Sequence, residues 1–156
     1  MYEGDIKNFG IKQIQQDFGR NFAPVDVVVG GPPCQAYSTV GKRLINDPRG
    51  KLFQEYFRIV QEFKPKCFVY ENVKGLLSMS SGELLPTIIK LFSSLGYEMN
   101  FRLLNAADFG APQIRERVII VGVRSDLNFV YPISTHRDRA NPDGMIYDSR
   151  KPWLTL

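Results

Sequence analysis

This chain is short of the residue types that would announce several classes of protein. It carries two cysteines, one tryptophan and one histidine in 156 residues. Two cysteines do not make a disulfide framework, and with a single histidine no metal-ligand cluster can be read. No apolar run approaches the ~20 residues that a membrane-spanning helix needs. The opening, Met1-Tyr2-Glu3-Gly4-Asp5-Ile6-Lys7, is too polar for a secretory leader. Internal repeats and low-complexity tracts are absent as well. A disulfide-stapled secreted domain and a helical membrane protein are thereby excluded. What remains is an ordinary globular composition, 44% hydrophobic and 23% charged, with enough chain for one real core. The net charge of +4 permits a nucleic-acid partner without demanding one. A free thiol suits the cytoplasm, which is the expected location.

The stretch Val25-Asp26-Val27-Val28-Val29-Gly30-Gly31-Pro32-Pro33-Cys34 organises the rest. Its β-branched run reads as a buried strand, which two glycines and two prolines end abruptly. Cys34 is then held just past the carboxyl end of a strand, where open α/β sheets bind ligands. Proline stiffens the backbone that presents it, and a thiol so placed can act as a nucleophile. A loop cysteine of no consequence fits the same residues. Cys67 opens the next strand, Cys67–Tyr70, and packs as a small hydrophobe. If the two strands are parallel neighbours, the cysteines lie roughly 13 Å or more apart, beyond the reach of a bridge.

Along the chain, Ile11–Phe18 is a short amphipathic helix, and Thr39–Gly50 a polar loop with a glycine near each end. Apolar residues recur at helical spacing over Lys51–Phe63 and Glu83–Leu95, with Pro65 and Gly96 as stops. Tyr97–Leu104 and Arg117–Val123 read as strands that can pair as an antiparallel hairpin. Strands alternating with helices predict a parallel-rich, doubly wound α/β sheet. Residues 131–156, rich in Pro, Asp, Arg, Ser and Asn up to Lys151, read as a linker after a catalytic core over 1–130.

Three groups of residues carry candidate chemistry. Glu71, from Glu71-Asn72-Val73, follows its strand and is expected to face the same crevice as Cys34. A thiol and a carboxyl there can attack an electrophilic ring and supply a proton where charge develops. Asn72 can hold that geometry by hydrogen bonding. Arg115 and Arg117 alternate, so they share a face and can bind a phosphate, a carboxylate or a base carbonyl. Singly, each also reads as an ordinary polar strand end.

Together these segments resemble the cytosine-5 DNA methyltransferase family. The likeness runs from Gly4 to about His136, through Gly30–Ser38, Glu71–Gly75, Leu103–Gln113 and Arg115–Val118. It implies a partial Rossmann-like fold that uses S-adenosylmethionine, mostly parallel with an antiparallel carboxy-terminal hairpin. It implies Cys34 as the nucleophile on cytosine carbon 6, and Glu71 on ring nitrogen 3. Arg117 falls on the cytosine carbonyl, with Arg115 as its companion. Asp5, Ile6, Pro32 and Leu52 match positions of the cofactor pocket. A cytosine inside a duplex must be flipped out. Gln35, Ser38, Lys42, Arg43 and Arg49 are the expected DNA contacts on a closing loop.

Members of that family usually open with a Phe-x-Gly-x-Gly turn and continue past Trp153 into a target-recognition region. The chain reads as the catalytic middle of such an enzyme, part of a restriction-modification system. Its partners are then duplex DNA and the missing parts of the polypeptide or a complementing subunit. An inactive fragment, a split-enzyme subunit that contributes DNA contacts only and a tRNA cytosine-5 methyltransferase are the alternatives. The Val25–Val29 strand is expected to have a bare edge that favours self-association.

Overall fold

The structure is a computed structural model and describes residues 3–19, 22–33, 51–138 and 149–154. Cys34, Gln35, Ser38, Lys42, Arg43 and Arg49 lie outside the described residues. So does the polar Thr39–Gly50 loop.

Four strands make the main sheet: β1 (Val27–Gly30), β2 (Cys67–Val73), β3 (Tyr97–Asn105) and β4 (Glu116–Arg124). Their spatial order is β1-β2-β4-β3. β1 and β2 pair in parallel, from Val27 opposite Cys67 to Gly30 opposite Tyr70. β4 pairs antiparallel with both β2 and β3. Three strands therefore run one way, and β4 is inserted against them. The expected α/β architecture with its carboxy-terminal hairpin is present.

Helix α1 (Ile11–Phe18) and helix α2 (Lys51–Phe63) have the bounds that their periodicity predicts. Helix α3 (Leu84–Ser93) is shorter at both ends than expected. Pro86 sits in its first turn, where the missing N–H is no loss, and Gly96, at φ +86°, turns the chain into β3. α2 stops at Phe63, and the next residue, Lys64, adopts a left-handed conformation before Pro65.

One core sits between the sheet and α2 with α3. Phe92 lies at its centre, its ring 4.4 Å from that of Phe68, 5.3 Å from Phe57 and 6.0 Å from Phe53 between centroids. Tyr70 meets Tyr56 edge-on at 5.4 Å. Such contacts join both helices to one face of β2, so the winding on two faces that the alternation suggests is not seen among the described residues. α1 lies against α2 instead. Phe9, just before α1, stacks on Phe63, and the Ile11 amide donates to Glu62 Oε1. On β1, Val27 and Val29 are 52% and 72% exposed. β1 is also the terminal strand, paired with β2 alone among the described residues, so the expected bare edge is present there.

Glu71 differs from the reading above. It lies inside β2, not beyond it, because β4 continues the ladder to Val73 opposite Arg117 after β1 has left at Gly30. Residues 131–138 and 149–154, read as linker, are anchored. Strand β5 (His136–Arg137) pairs in parallel with β6 (Lys151–Pro152). The Tyr131 hydroxyl donates to the Ile119 carbonyl at 2.7 Å and the Asn100 carbonyl at 3.1 Å. Burial pushes that phenol up to about 12.

Candidate active site

The site forms where β1 leaves the sheet. At Gly30 the chain passes too close to its neighbours for a side chain, and at Gly31 it passes against the Glu71 carboxylate. A Cβ on Gly30 would lie 2.6 Å from the Tyr56 ring, and one on Gly31 would lie 2.8 Å from Glu71 Oε2. Gly30 is therefore a packing requirement as well as a strand stop, whereas a side chain at Gly31 would displace the Glu71 carboxylate. Tyr56 closes the space beneath them. Its hydroxyl donates to the Val69 carbonyl at 2.8 Å. Burial, aided by the nearby Cys67 thiol and Tyr97 phenol, holds the Tyr56 pKa far above the ordinary phenol range, so it stays a donor.

Asn72 is 4% exposed and bonds in three directions. Its Nδ2 donates to the Pro32 carbonyl at 3.0 Å and to the Tyr70 hydroxyl at 3.1 Å. Its Oδ1 accepts from the Val73 amide at 2.9 Å. The side chain thus ties the Gly-Gly-Pro-Pro turn to β2, two residues before Cys34.

Glu71 points to the opposite face of β2 from Asn72. Its Oε1 lies 2.7 Å from Arg117 Nε and 3.9 Å from an Arg115 terminal nitrogen. The predicted pairing of the two arginines on one face is correct, and both converge on Glu71. These groups are a quarter to a half exposed, so the ion pairs contribute about 1 kcal/mol at most. Their main effect is orientation. Arg115 is itself fixed by Asn105, whose Oδ1 accepts from the Arg115 amide at 3.0 Å.

Two cavities adjoin here. One, about 330 Å³, is lined by Pro33, Glu71, Asn72, Arg115 and Arg117. The other, about 530 Å³ and apolar, is lined by Ile6, Phe9, Val28, Leu52, Tyr56 and Phe63. Gly31 and Pro32 line both. Of the four predicted cofactor residues, Ile6, Pro32 and Leu52 come together at the apolar cavity. Asp5 is not among its lining residues. Its carboxylate caps the short turn Ile6–Asn8 by accepting from the Lys7 amide at 3.0 Å. Arg58 escaped the sequence reading altogether. Its guanidinium donates to the Ile6 and Phe9 carbonyls at 2.9 and 2.8 Å, and pins the first wall of the cavity to α2. No sequence signal separates it from any other helix-surface arginine.

Such a sheet, with an apolar cavity and an acid–guanidinium pocket back to back at its strand ends, has the architecture of an α/β methyltransferase core. The chain belongs to the C-5 cytosine-specific DNA methylase family, whose sequence profile matches residues 1–149. It is 41% identical to the Type II methyltransferase M.AquIA of Picosynechococcus sp., over 99% of this chain and 66% of that protein. To the Type II methyltransferase M.FnuDI of Fusobacterium nucleatum it is 50% identical, over 79% of this chain and 38% of that protein. A crystal structure described as a DNA modification methyltransferase encoded within an E. coli prophage superposes with a TM-score of 0.61 at 31% identity. That match covers 79% of this chain and 33% of the other. The chain thus spans about two thirds of the length of M.AquIA and about two fifths of M.FnuDI.

Proposed function

We propose that this chain carries the catalytic centre of a DNA cytosine-5 methyltransferase of a restriction-modification system. The observation that carries the reading is the shared wall. Gly31 and Pro32 separate an apolar cavity from a pocket that holds a carboxylate and two guanidiniums. A group transferred between occupants of the two has one short path. Family membership supplies the substrate: a cytosine turned out of duplex DNA.

The apolar cavity suits the flat faces of an adenine ring, and Ile6, Pro32 and Leu52 would hold S-adenosylmethionine there. When bound, that cofactor supplies the methyl group. In the polar pocket Glu71 holds ring nitrogen 3 of the cytosine and shares its proton there. Arg117 donates to the base carbonyl, and Arg115 keeps the carboxylate turned inward. Cys34, the residue after Pro33, adds as thiolate to carbon 6. The carbon 5–carbon 6 double bond opens, and its electron pair moves towards carbon 5 and nitrogen 3. Carbon 5 takes the methyl group and then loses its proton to a base. The thiolate leaves carbon 6 and the double bond re-forms. Gln35, Ser38, Lys42, Arg43 and Arg49 belong to the DNA-contacting stretch that follows the nucleophile.

Duplex DNA containing 5-fluorocytosine tests this, because fluorine cannot leave as the proton does and the covalent adduct persists. With S-adenosylmethionine, the wild type is expected to form an adduct and Cys34→Ala none. An adduct that survives Cys34→Ala would sink the proposal. A second reading rests on β1, a terminal strand with Val27 and Val29 exposed on one face: this chain is one part of a split enzyme and forms the adduct only when the complementing part is added.

A further inference from the structure

Beyond the bond from Asn105 to Arg115, the segment Asn105–Gln113 has no role in the chemistry above, yet several hydrogen bonds tie it on both sides. Asn105 Oδ1 accepts from two amides, Ala107 at 3.2 Å and Arg115 at 3.0 Å. The Ala106 amide in turn donates to the Arg115 carbonyl at 3.0 Å. Both backbone polar groups of Arg115 are therefore held by the start of this turn. At its middle stands Asp108, gripped twice from the β5–β6 side. Its carbonyl accepts from the Thr135 amide at 2.9 Å, and its carboxylate Oδ1 from the Trp153 indole Nε1 at 2.9 Å. The Lys151 amide donates to the Thr135 carbonyl, and that of Trp153 to the Arg137 carbonyl, each at 2.9 Å. Behind Asp108, Gly110 adopts φ +88°, and the His136 ring fills the place where a Cβ would stand.

We propose that Trp153 and Asp108 are positioning residues for Arg115: the indole–carboxylate bond clamps the turn whose other end fixes Arg115 beside Glu71. The inference rests on the methyltransferase reading for its catalytic meaning. It makes the β5–β6 pair a strap across the turn. Whatever follows Trp153 in the chain is thereby tied mechanically to the guanidinium side of the pocket. An exposed ion pair 3.9 Å long does not fix an arginine by itself. A backbone held from both sides does.

The test uses this chain and NMR hydrogen exchange at the Ala107 and Arg115 amides. Trp153→Phe keeps an aromatic ring but removes the donor, and Asp108→Leu removes the acceptor. Each is expected to raise exchange at both amides about tenfold, the factor that losing one charge-assisted hydrogen bond carries. Asp108→Asn retains an acceptor oxygen and is expected to stay within about twofold of wild type. Amides of the β2–β4 ladder, such as Val69 and Val121, should not change in any variant. Unchanged exchange at Arg115, or a rise that spreads into the ladder, overturns the proposal.

The second readout is single-turnover adduct formation on 5-fluorocytosine duplex with S-adenosylmethionine, in the smallest preparation containing this chain that reacts. Trp153→Phe is expected to lower the saturating rate about tenfold and to leave the half-saturating DNA concentration alone. Faster exchange with an unaltered rate reduces the strap to a structural element and overturns the positioning role. If the wild type forms no adduct in any preparation, the methyltransferase reading falls and takes the catalytic role with it. The exchange data still decide separately whether the strap holds the turn.

Discussion

Replacing Asn72 with leucine tests whether this buried amide holds the site or merely fills space. The two side chains have the same heavy-atom branching and leucine is the larger, so a loss of stability reports lost hydrogen bonds together with some crowding, and not a cavity. Three bonds go: to the Pro32 carbonyl, to the Tyr70 hydroxyl and from the Val73 amide. At about 1 kcal/mol each, the loss is about 3 kcal/mol. The same change frees the Gly-Gly-Pro-Pro turn from β2, because the Pro32 bond spans 40 positions of sequence. Urea titration of wild type and Asn72→Leu measures the first effect as a lower midpoint at constant slope. The second appears at a urea concentration where both proteins are folded, as a slower adduct rate on 5-fluorocytosine DNA. Asn72→Asp separates the two. It retains an oxygen for the Val73 amide but turns an acceptor towards the Pro32 carbonyl, so it should slow adduct formation out of proportion to its stability. If Asn72→Leu lies within about 0.5 kcal/mol of wild type, the range of an ordinary surface substitution, the reasoning is wrong.

Three further outcomes follow from the geometry. Gly31→Ala places a methyl 2.8 Å from Glu71 Oε2, so it should cut the adduct rate at least about tenfold with a far smaller change in the unfolding midpoint. Equal rates for the two proteins would refute the close packing. Val29→Lys puts a charge on the exposed β1 edge and should weaken concentration-dependent association in sedimentation velocity, whereas a wild type that stays monomeric at every concentration removes that idea. The phenols of Tyr56 and Tyr131 are both raised by burial, that of Tyr131 to about 12. The folded state thus keeps protons that the unfolded chain releases above about pH 10. Stability is intact below pH 10 and should fall as pH rises towards 12. Phenylalanine at position 131 should remove part of that slope, and an unchanged slope in the variant excludes Tyr131 as a contributor.

The elements read most faithfully from sequence are those whose pattern is local. α2 spans Lys51–Phe63 because its apolar positions recur once per turn and Pro65 follows close behind. The alternation of Arg115 and Arg117 needs only strand geometry to put both on one face, and the structure aims both at Glu71. The order of the motifs along the chain was enough to resemble one family, and the matched profile agrees.

What only the folded chain decides are the long-range partners. β2 runs on through Glu71 to Val73 because β4 remains beside it after β1 has gone, and no residue in Cys67–Val73 signals that. Asp5 caps its own turn, while Arg58, more than fifty positions away, holds the Ile6 and Phe9 carbonyls. Residues 131–138 and 149–154 are too polar to show a core, yet Trp153 reaches Asp108 and Tyr131 reaches two strands. The physical reason is the same in each case. Periodicity records which face of an element is buried, but a hydrogen bond between distant residues depends on where the sheet carries both of them.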